Sequence, residues 1–200
     1  MSFRLVAIIR DVCSDDIINV MNALLDNGIS EVEISLSNEE LAMKSIAVAL
    51  KEYKGKARIG AGTVTKVSQV YALKELGIDF IITPAYDDEI VSVCIENELE
   101  IIPGVFTPGD VMRACNRGIP LLKLFPCDAL PLNYIKSLKG PFPNAQFLAV
   151  GGVKLDTIDA IKKAGFLGIA PGNDLVKRGS TSKDVETIAE KARMYVEACK

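Results

Sequence analysis

Lys123 stands inside an otherwise apolar run, Leu121-Leu122-Lys123-Leu124-Phe125-Pro126. Bounded by Pro120 and Pro126, such a run reads as a buried strand. A lysine there must bring its ammonium into low dielectric, and burial favours the neutral amine. A neutral amine at pH 7 is a nucleophile for carbonyl carbon. Read alone, the residue is more readily a lysine at a strand end that buries its stem and keeps its head in water, and it is the rest of the chain that shifts the reading. Glu33 raises the same question in Glu31-Val32-Glu33-Ile34-Ser35-Leu36. If Val32, Ile34 and Leu36 face covering helices, then Glu31, Glu33 and Ser35 point the other way. If Leu122 and Leu124 face helices, Leu121, Lys123 and Phe125 do likewise. Glu33 by itself is also compatible with a solvated edge position. Two ionisable residues on the inner side of separate apolar strands are costly unless paired or used.

Other residues fit around such a pair. Arg10 ends the apolar run Leu5-Val6-Ala7-Ile8-Ile9, where a guanidinium fork can bind a carboxylate and help keep Lys123 unprotonated. A surface arginine at a strand end is the plainer reading. Gly60-Ala61-Gly62-Thr63 places small residues where substrate can approach backbone, and the Thr63 hydroxyl can bind a carboxylate. The same glycines also fit a tightly packed strand. Thr83-Pro84 and Pro103-Gly104 read as strand stops. Gly151-Gly152 and Gly172-Asn173-Asp174 follow two late strand candidates, and the second turn is expected to open a short helix. Backbone N–H groups there suit a phosphate, although tight turns need glycine as well. Asp174 would repel a phosphate if it pointed inward, or cap the helix if it did not.

The elements that must position these residues are short apolar runs alternating with helix-period segments. Strand candidates are Val6–Ile9, Glu31–Leu36, Arg58–Gly62, Asp79–Thr83, Glu100–Pro103, Leu121–Phe125, Gln146–Val150 and Leu167–Ala170. Their spacing is the scale of one βα unit. Between them lie helix candidates. One holds Ile17, Ile18, Met21, Leu24 and Leu25, with Ser14 and Asp15 as caps and Gly28 as stop. A second holds Val67, Val70, Leu73 and Leu76, ended by Gly77, and a last one runs over Lys183–Cys199. The alternation predicts an α/β protein, a single compact (β/α)8 TIM barrel over residues 1–200, with a doubly wound open sheet as the alternative.

Composition narrows the function classes. There is no histidine, which removes Ser-His-Asp and Cys-His nucleophiles and the commonest zinc ligand. Net charge is −3 without a strongly basic stretch, which argues against nucleic acid as a partner. No apolar run is long enough to span a membrane. Met1–Leu5 leads straight into a strand-like run, so no signal peptide is expected. Five widely spaced cysteines without a CxxC pair read as reduced thiols of a cytoplasmic protein.

Taken together, Val32-Glu33-Ile34, Ile59-Gly60-Ala61-Gly62-Thr63-Val64, Ile82-Thr83-Pro84, Pro103-Gly104, Leu122-Lys123-Leu124-Phe125-Pro126, Ala149-Val150-Gly151-Gly152-Val153 and Gly172-Asn173 resemble the 2-keto-3-deoxy-6-phosphogluconate and -galactonate aldolases. These are class I, Schiff-base enzymes on a (β/α)8 barrel. The resemblance implies Lys123 as the Schiff-base lysine and Glu33 as the general acid/base. It implies Thr63 and Arg10 near the pyruvyl carboxylate, with Pro84 and Phe125 against the substrate. It implies phosphate held by Gly151, Gly152, Gly172 and Asn173. The partners it implies are a phosphorylated keto-sugar acid and pyruvate, with activity on 4-hydroxy-2-oxoglutarate also possible, in a homotrimer with no metal or cofactor. The chain departs from the gluconate pattern at Ser37, where those enzymes commonly carry arginine, and has Asn173 where serine is usual. Arg10 is the galactonate-like feature. Competing readings are a phosphosugar isomerase or epimerase, a non-catalytic sugar-phosphate sensor on the same barrel, and a metal-dependent pyruvate aldolase.

Overall fold

The computed structural model describes residues 3–200. Nine parallel strands form one sheet: β1 (Arg4–Ile9), β2 (Glu31–Ser35), β3 (Arg58–Gly62), β4 (Phe80–Ile82), β5 (Glu100–Ile102), β6 (Gly104–Val105), β7 (Leu121–Leu124), β8 (Gln146–Val150) and β9 (Gly168–Ala170). Their order is β5-β4-β3-β2-β1-β9-β8-β7-β6. Eight α-helices accompany them among the described residues: α1 (Ile17–Leu25), α2 (Glu39–Tyr53), α3 (Val67–Leu76), α4 (Asp88–Glu96), α5 (Pro108–Asn116), α6 (Tyr134–Lys139), α7 (Ile158–Ala164) and α8 (Val185–Cys199).

The two ends of the sheet are two halves of one strand. Only Pro103 separates β5, which pairs with β4, from β6, which pairs with β7. The sheet is thus an eight-stranded barrel whose fifth strand is broken in the middle. The stop expected at Pro103 is present, since β5 ends at Ile102, but the chain resumes pairing at Gly104 with a different neighbour. Proline lacks the N–H that a ladder needs, so the strand breaks there, yet its carbonyl still accepts from Lys123 N at 2.9 Å. Beside the break, the buried Thr83 hydroxyl accepts from Gly104 N (3.1 Å) and donates to Ala85 O (2.7 Å). Gly104 is required at this seam, because a Cβ would lie 2.4 Å from the Pro84 carbonyl.

Alternation along the strands divides the apolar residues into two layers. Val32, Ile34, Leu122 and Leu124 join the layer beneath the helices. Val6, Ile8, Phe80, Ile82, Leu121, Leu148 and Val150 fill the barrel interior, with Phe125 packed against them. The amino end of the interior is closed by charge. Arg4 pairs with Glu31 (2.6 Å) and Glu100 (3.2 Å), and Arg58 pairs with the same two carboxylates. Both guanidinium groups lie over the Phe80 ring, at 5.8 and 5.4 Å from its centroid. Glu31 is thereby committed to this cluster.

Several local expectations change. Neither Ser14 nor Asp15 caps α1. Asp16 occupies the cap position, and its carboxylate accepts from Ser182 N at 2.7 Å instead. Gly77 ends α3 in the left-handed conformation, as expected. The last helix begins at Val185 after a 3-10 turn over Ser182–Asp184. Gly172-Asn173-Asp174 opens no helix: it is a single turn in which Leu175 N and Val176 N both donate to Gly172 O at 2.9 Å. No helix of the described residues is long and apolar enough to cross a membrane.

Interior filling generates a stability prediction. A Cβ at Gly60 would fall 2.1 Å from the Phe80 ring, which is itself held between two arginines. Gly60→Ala is expected to destabilise by about 1–3 kcal/mol through overpacking. Urea unfolding measures this, and an unchanged midpoint would mean that the ring moves freely.

Candidate active site

The residues singled out in the sequence all lie toward the carboxyl ends of the strands, in three groups. The first group is buried in the barrel. Lys123, on β7, is 4% exposed, and Glu33, on β2, is 1% exposed. Each is positioned by the alternation that sends its apolar neighbours outward. Lys123 Nζ lies over the Phe125 ring, 4.7 Å from its centroid, and makes no hydrogen bond to a described residue. Glu33 Oε2 is buried without a hydrogen-bond partner. Its Oε1 lies over Gly62, where a Cβ would sit 1.7 Å away. Gly62 therefore exists to make room for the Glu33 carboxylate.

Burial pushes the Glu33 carboxyl above its ordinary range, against the opposing pull of Lys123 and then Arg10. Burial likewise pushes the Lys123 amine below its ordinary range; the Glu33 charge opposes this and the Arg10 charge adds to it. Both shifts favour the neutral forms, an amine beside a carboxylic acid. That pair can attack a carbonyl and supply a proton.

The rim beside this pair is built from residues in unusual backbone. Thr63, just past β3, has φ +59°, uncommon for a β-branched residue. Its hydroxyl is 2.8 Å from that of buried Ser35. Asp11, just past Arg10, has φ +54°. Its carboxylate accepts from Ser37 Oγ at 3.1 Å and from Arg178 Nε.

The second group lines a cavity of about 460 Å³ between the ends of β1, β8 and β9. Arg10, Gly151, Gly152, Gly172 and Asn173 all face it. Arg10 lies against Gly172, with Nη1 2.5 Å from where a Cβ would be. Gly151 and Gly152 have φ +94° and +66°, and Asp128 packs onto Gly152 within 2.3 Å of a Cβ position. Side chains at the glycine turns would thus close the cavity. No described residue accepts from the backbone N–H of Gly151, Gly152, Gly172 or Asn173. Asn173 Oδ1 accepts from Arg178 N at 3.0 Å, which leaves the donor end of its amide free. Lys154, Lys177 and Lys191 add cationic charge to the lining. The sequence reading missed these three lysines. Two of them stand just after the glycine turns, but lysines are common in surface loops, and only the fold shows that they converge.

The third group, Pro84 and Phe125, lines a separate cavity of about 340 Å³ with Tyr86 and Phe106. Phe125 connects the groups, because its ring also covers Lys123 Nζ.

The chain is similar to known proteins in sequence and fold. The model of the KDPG and KHG aldolase family matches residues 1–191. The chain is 34% identical over 195 residues to 2-dehydro-3-deoxy-6-phosphogalactonate aldolase of Escherichia coli K12, covering 97% of this chain and 93% of that protein. It is 34% identical over 146 residues to 2-dehydro-3-deoxy-phosphogluconate aldolase of Haemophilus influenzae, covering 72% and 68%. A solved structure named native KDPGal superposes with a TM-score of 0.89 at 34% identity, over 97% of this chain and 93% of that one.

The coupled charges carry a signed prediction. The Arg10 charge holds the Lys123 amine down, so Arg10→Gln should move it up. The acid limb of pyruvate imine formation should therefore shift to higher pH. Borohydride trapping across a pH series reads that shift, and a limb displaced to lower pH would contradict the coupling.

Proposed function

The chain belongs to the KDPG and KHG aldolase family, and on that footing we propose how its own residues divide the work. It is a class I aldolase, a carbon–carbon lyase. It cleaves a 2-keto-3-deoxy-6-phospho sugar acid to pyruvate and glyceraldehyde 3-phosphate through a lysine Schiff base. The isomerase, sensor and metal-dependent readings are set aside by that membership.

Lys123 is the nucleophile in this proposal. The observation that carries the assignment is its burial on β7 beneath Phe125, beside a carboxyl that is also buried. The neutral amine adds to the C2 ketone, the Glu33 carboxylic acid gives up the proton with which water leaves, and an iminium forms beside a Glu33 carboxylate. The iminium accepts the electron pair of the C3–C4 bond as that bond breaks. Glu33, as carboxylate at that stage, takes the C4 hydroxyl proton, directly or through a water, and the aldehyde departs. Glu33 then returns a proton to C3 of the enamine, and hydrolysis frees pyruvate and Lys123. Phe125 and Pro84 pack against the substrate and exclude water from the iminium.

Arg10 and Thr63 take the C1 carboxylate. Arg10 is suited to this because its charge reaches both Lys123 and Glu33 while its guanidinium stays unpaired with any described carboxylate. The glycine turns and their lysines take the phosphate, because four uncommitted N–H groups and several cations surround one cavity. We assign the galactonate-type substrate, on Arg10 at the end of β1, Ser37 in place of arginine, and a match to the galactonate enzyme along nearly the whole chain.

Trapping with borohydride and pyruvate, followed by peptide mapping, should place a reduced adduct on Lys123, and Lys123→Met should lose turnover. An adduct elsewhere would overturn the assignment. With both C4 epimers offered, kcat/KM should favour the galactonate type, and a preference for the gluconate type would reverse that part alone.

The assembly we propose is a homotrimer. Phe106, Met112, Tyr71 and Ile95 are large apolar side chains left 37–50% exposed on the single chain. The five free cysteines suit a reducing cytoplasm. Light scattering behind size exclusion should read three chains per particle, and a monomer would refute the trimer.

A further inference from the structure

The cavity that we assign to phosphate has one carboxylate in its lining, Asp174, among four cationic side chains. A carboxylate facing a bound phosphate would oppose binding. Asp174 directly follows Asn173, so the turn that offers its N–H groups to the anion carries this charge with it. The carboxylate is held from behind. Tyr195, on α8 and fully buried, donates its hydroxyl to Asp174 Oδ2 at 2.7 Å. Lys191, one helical turn earlier, donates to the Asp174 carbonyl oxygen, and its Nζ stands 4.0 Å from Oδ1. Side chain and backbone carbonyl of one residue are thus both engaged by the same face of α8. The engaged carbonyl is directed at Lys191, while the neighbouring Gly172 and Asn173 N–H groups remain uncommitted.

We propose that Tyr195 and Lys191 form a strut that holds the Asp174 charge at the α8 side of the anion cavity, which makes Tyr195 a positioning residue for the substrate phosphate. The inference rests on the phosphate assignment made above. Tyr195 is suited to the task because burial and the adjacent carboxylate keep its phenol protonated, so it remains a donor throughout the working pH range. Without its hydroxyl, Oδ2 loses its buried donor, and the carboxylate is free to turn toward Arg10, Lys154 and Lys177 and to compete with phosphate for them.

Tyr195→Phe removes one hydroxyl and keeps the ring that packs the helix. KM for the phosphorylated keto acid should rise by about tenfold, the scale of one like charge brought close to an anion at a half-buried site. The inhibition constant for inorganic phosphate should rise in parallel. Imine trapping with pyruvate, which carries no phosphate, should keep pace with the wild type. Adding Asp174→Asn to Tyr195→Phe should restore most of the lost affinity, because asparagine brings no charge into the cavity. A purely structural tie between turn and helix predicts no such rescue. Unchanged constants in Tyr195→Phe, or a double variant no better than the single, overturn the strut while the phosphate site stands. A wild type that neither prefers the phosphorylated substrate nor responds to inorganic phosphate overturns both.

Discussion

Two ionisable side chains buried inside one barrel set the terms for this structure. Lys123 and Glu33 lose most of their hydration, and neither receives a hydrogen bond from the described residues that would replace it. Full ionisation of both would require their attraction to repay two desolvation penalties, and buried pairs rarely do so by a wide margin. The neutral pair avoids that cost. Burial therefore shifts both groups toward their neutral forms, an amine and a carboxylic acid. Arg10 adjusts the balance from the rim: its charge disfavours the ammonium and favours the carboxylate.

The remainder of the barrel follows from protecting that pair. The amino end is covered by two arginines, two glutamates and Phe80. Glycines appear where the filling leaves no room for a Cβ: Gly60 under Phe80 and Gly62 under Glu33. The Gly-Ala-Gly run of β3 is thus the complement of what its neighbours place in the interior. The broken fifth strand belongs to the same economy. Pro103 gives up a ladder donor, but its carbonyl anchors the backbone of Lys123, and the Thr83 hydroxyl satisfies the Gly104 N–H across the seam.

Most of this layout could be read from the chain because alternation is a strong signal. Val32 and Ile34 against Glu33, and Leu122 and Leu124 against Lys123, define an inside and an outside before any coordinates exist. Helix starts were less readable. Asp16 takes the cap position of α1 in place of Ser14 or Asp15, yet its carboxylate makes no cap bond, because Ser182, far away in sequence, claims it. Pro103 does stop β5, but local sequence does not reveal that the chain resumes pairing at Gly104 with a different neighbour. The turn at Gly172 lacks the helix expected of it, since Asp174 is drawn off toward α8 and the chain continues through Lys177 and Arg178 instead of winding. The cationic lining contributed by Lys154, Lys177 and Lys191 is assembled from three separate segments, and no local pattern announces such a convergence.

The rim shows how a rigid barrel can hold mobile chemistry in place. Thr63 and Asp11 adopt left-handed backbone without being glycine, at the ends of β3 and β1. Such conformations cost on the order of 1–3 kcal/mol each and persist only where surrounding contacts over-determine them. Those contacts are visible here. Thr63 is tied to Ser35, at the end of β2, and Asp11 is tied to Ser37 and Arg178, from the loops after β2 and β9. Gly179 N adds a bond to Arg10 O at 2.9 Å. Neighbouring strand ends are thereby laced together by side chains at the level where the ladder hydrogen bonds stop. The strain sits in the residues that flank Glu33 and Arg10, so the direction of both groups is set before substrate arrives. A site prepared in this way spends little binding energy on ordering its own side chains, which leaves more of it for the iminium and the departing aldehyde.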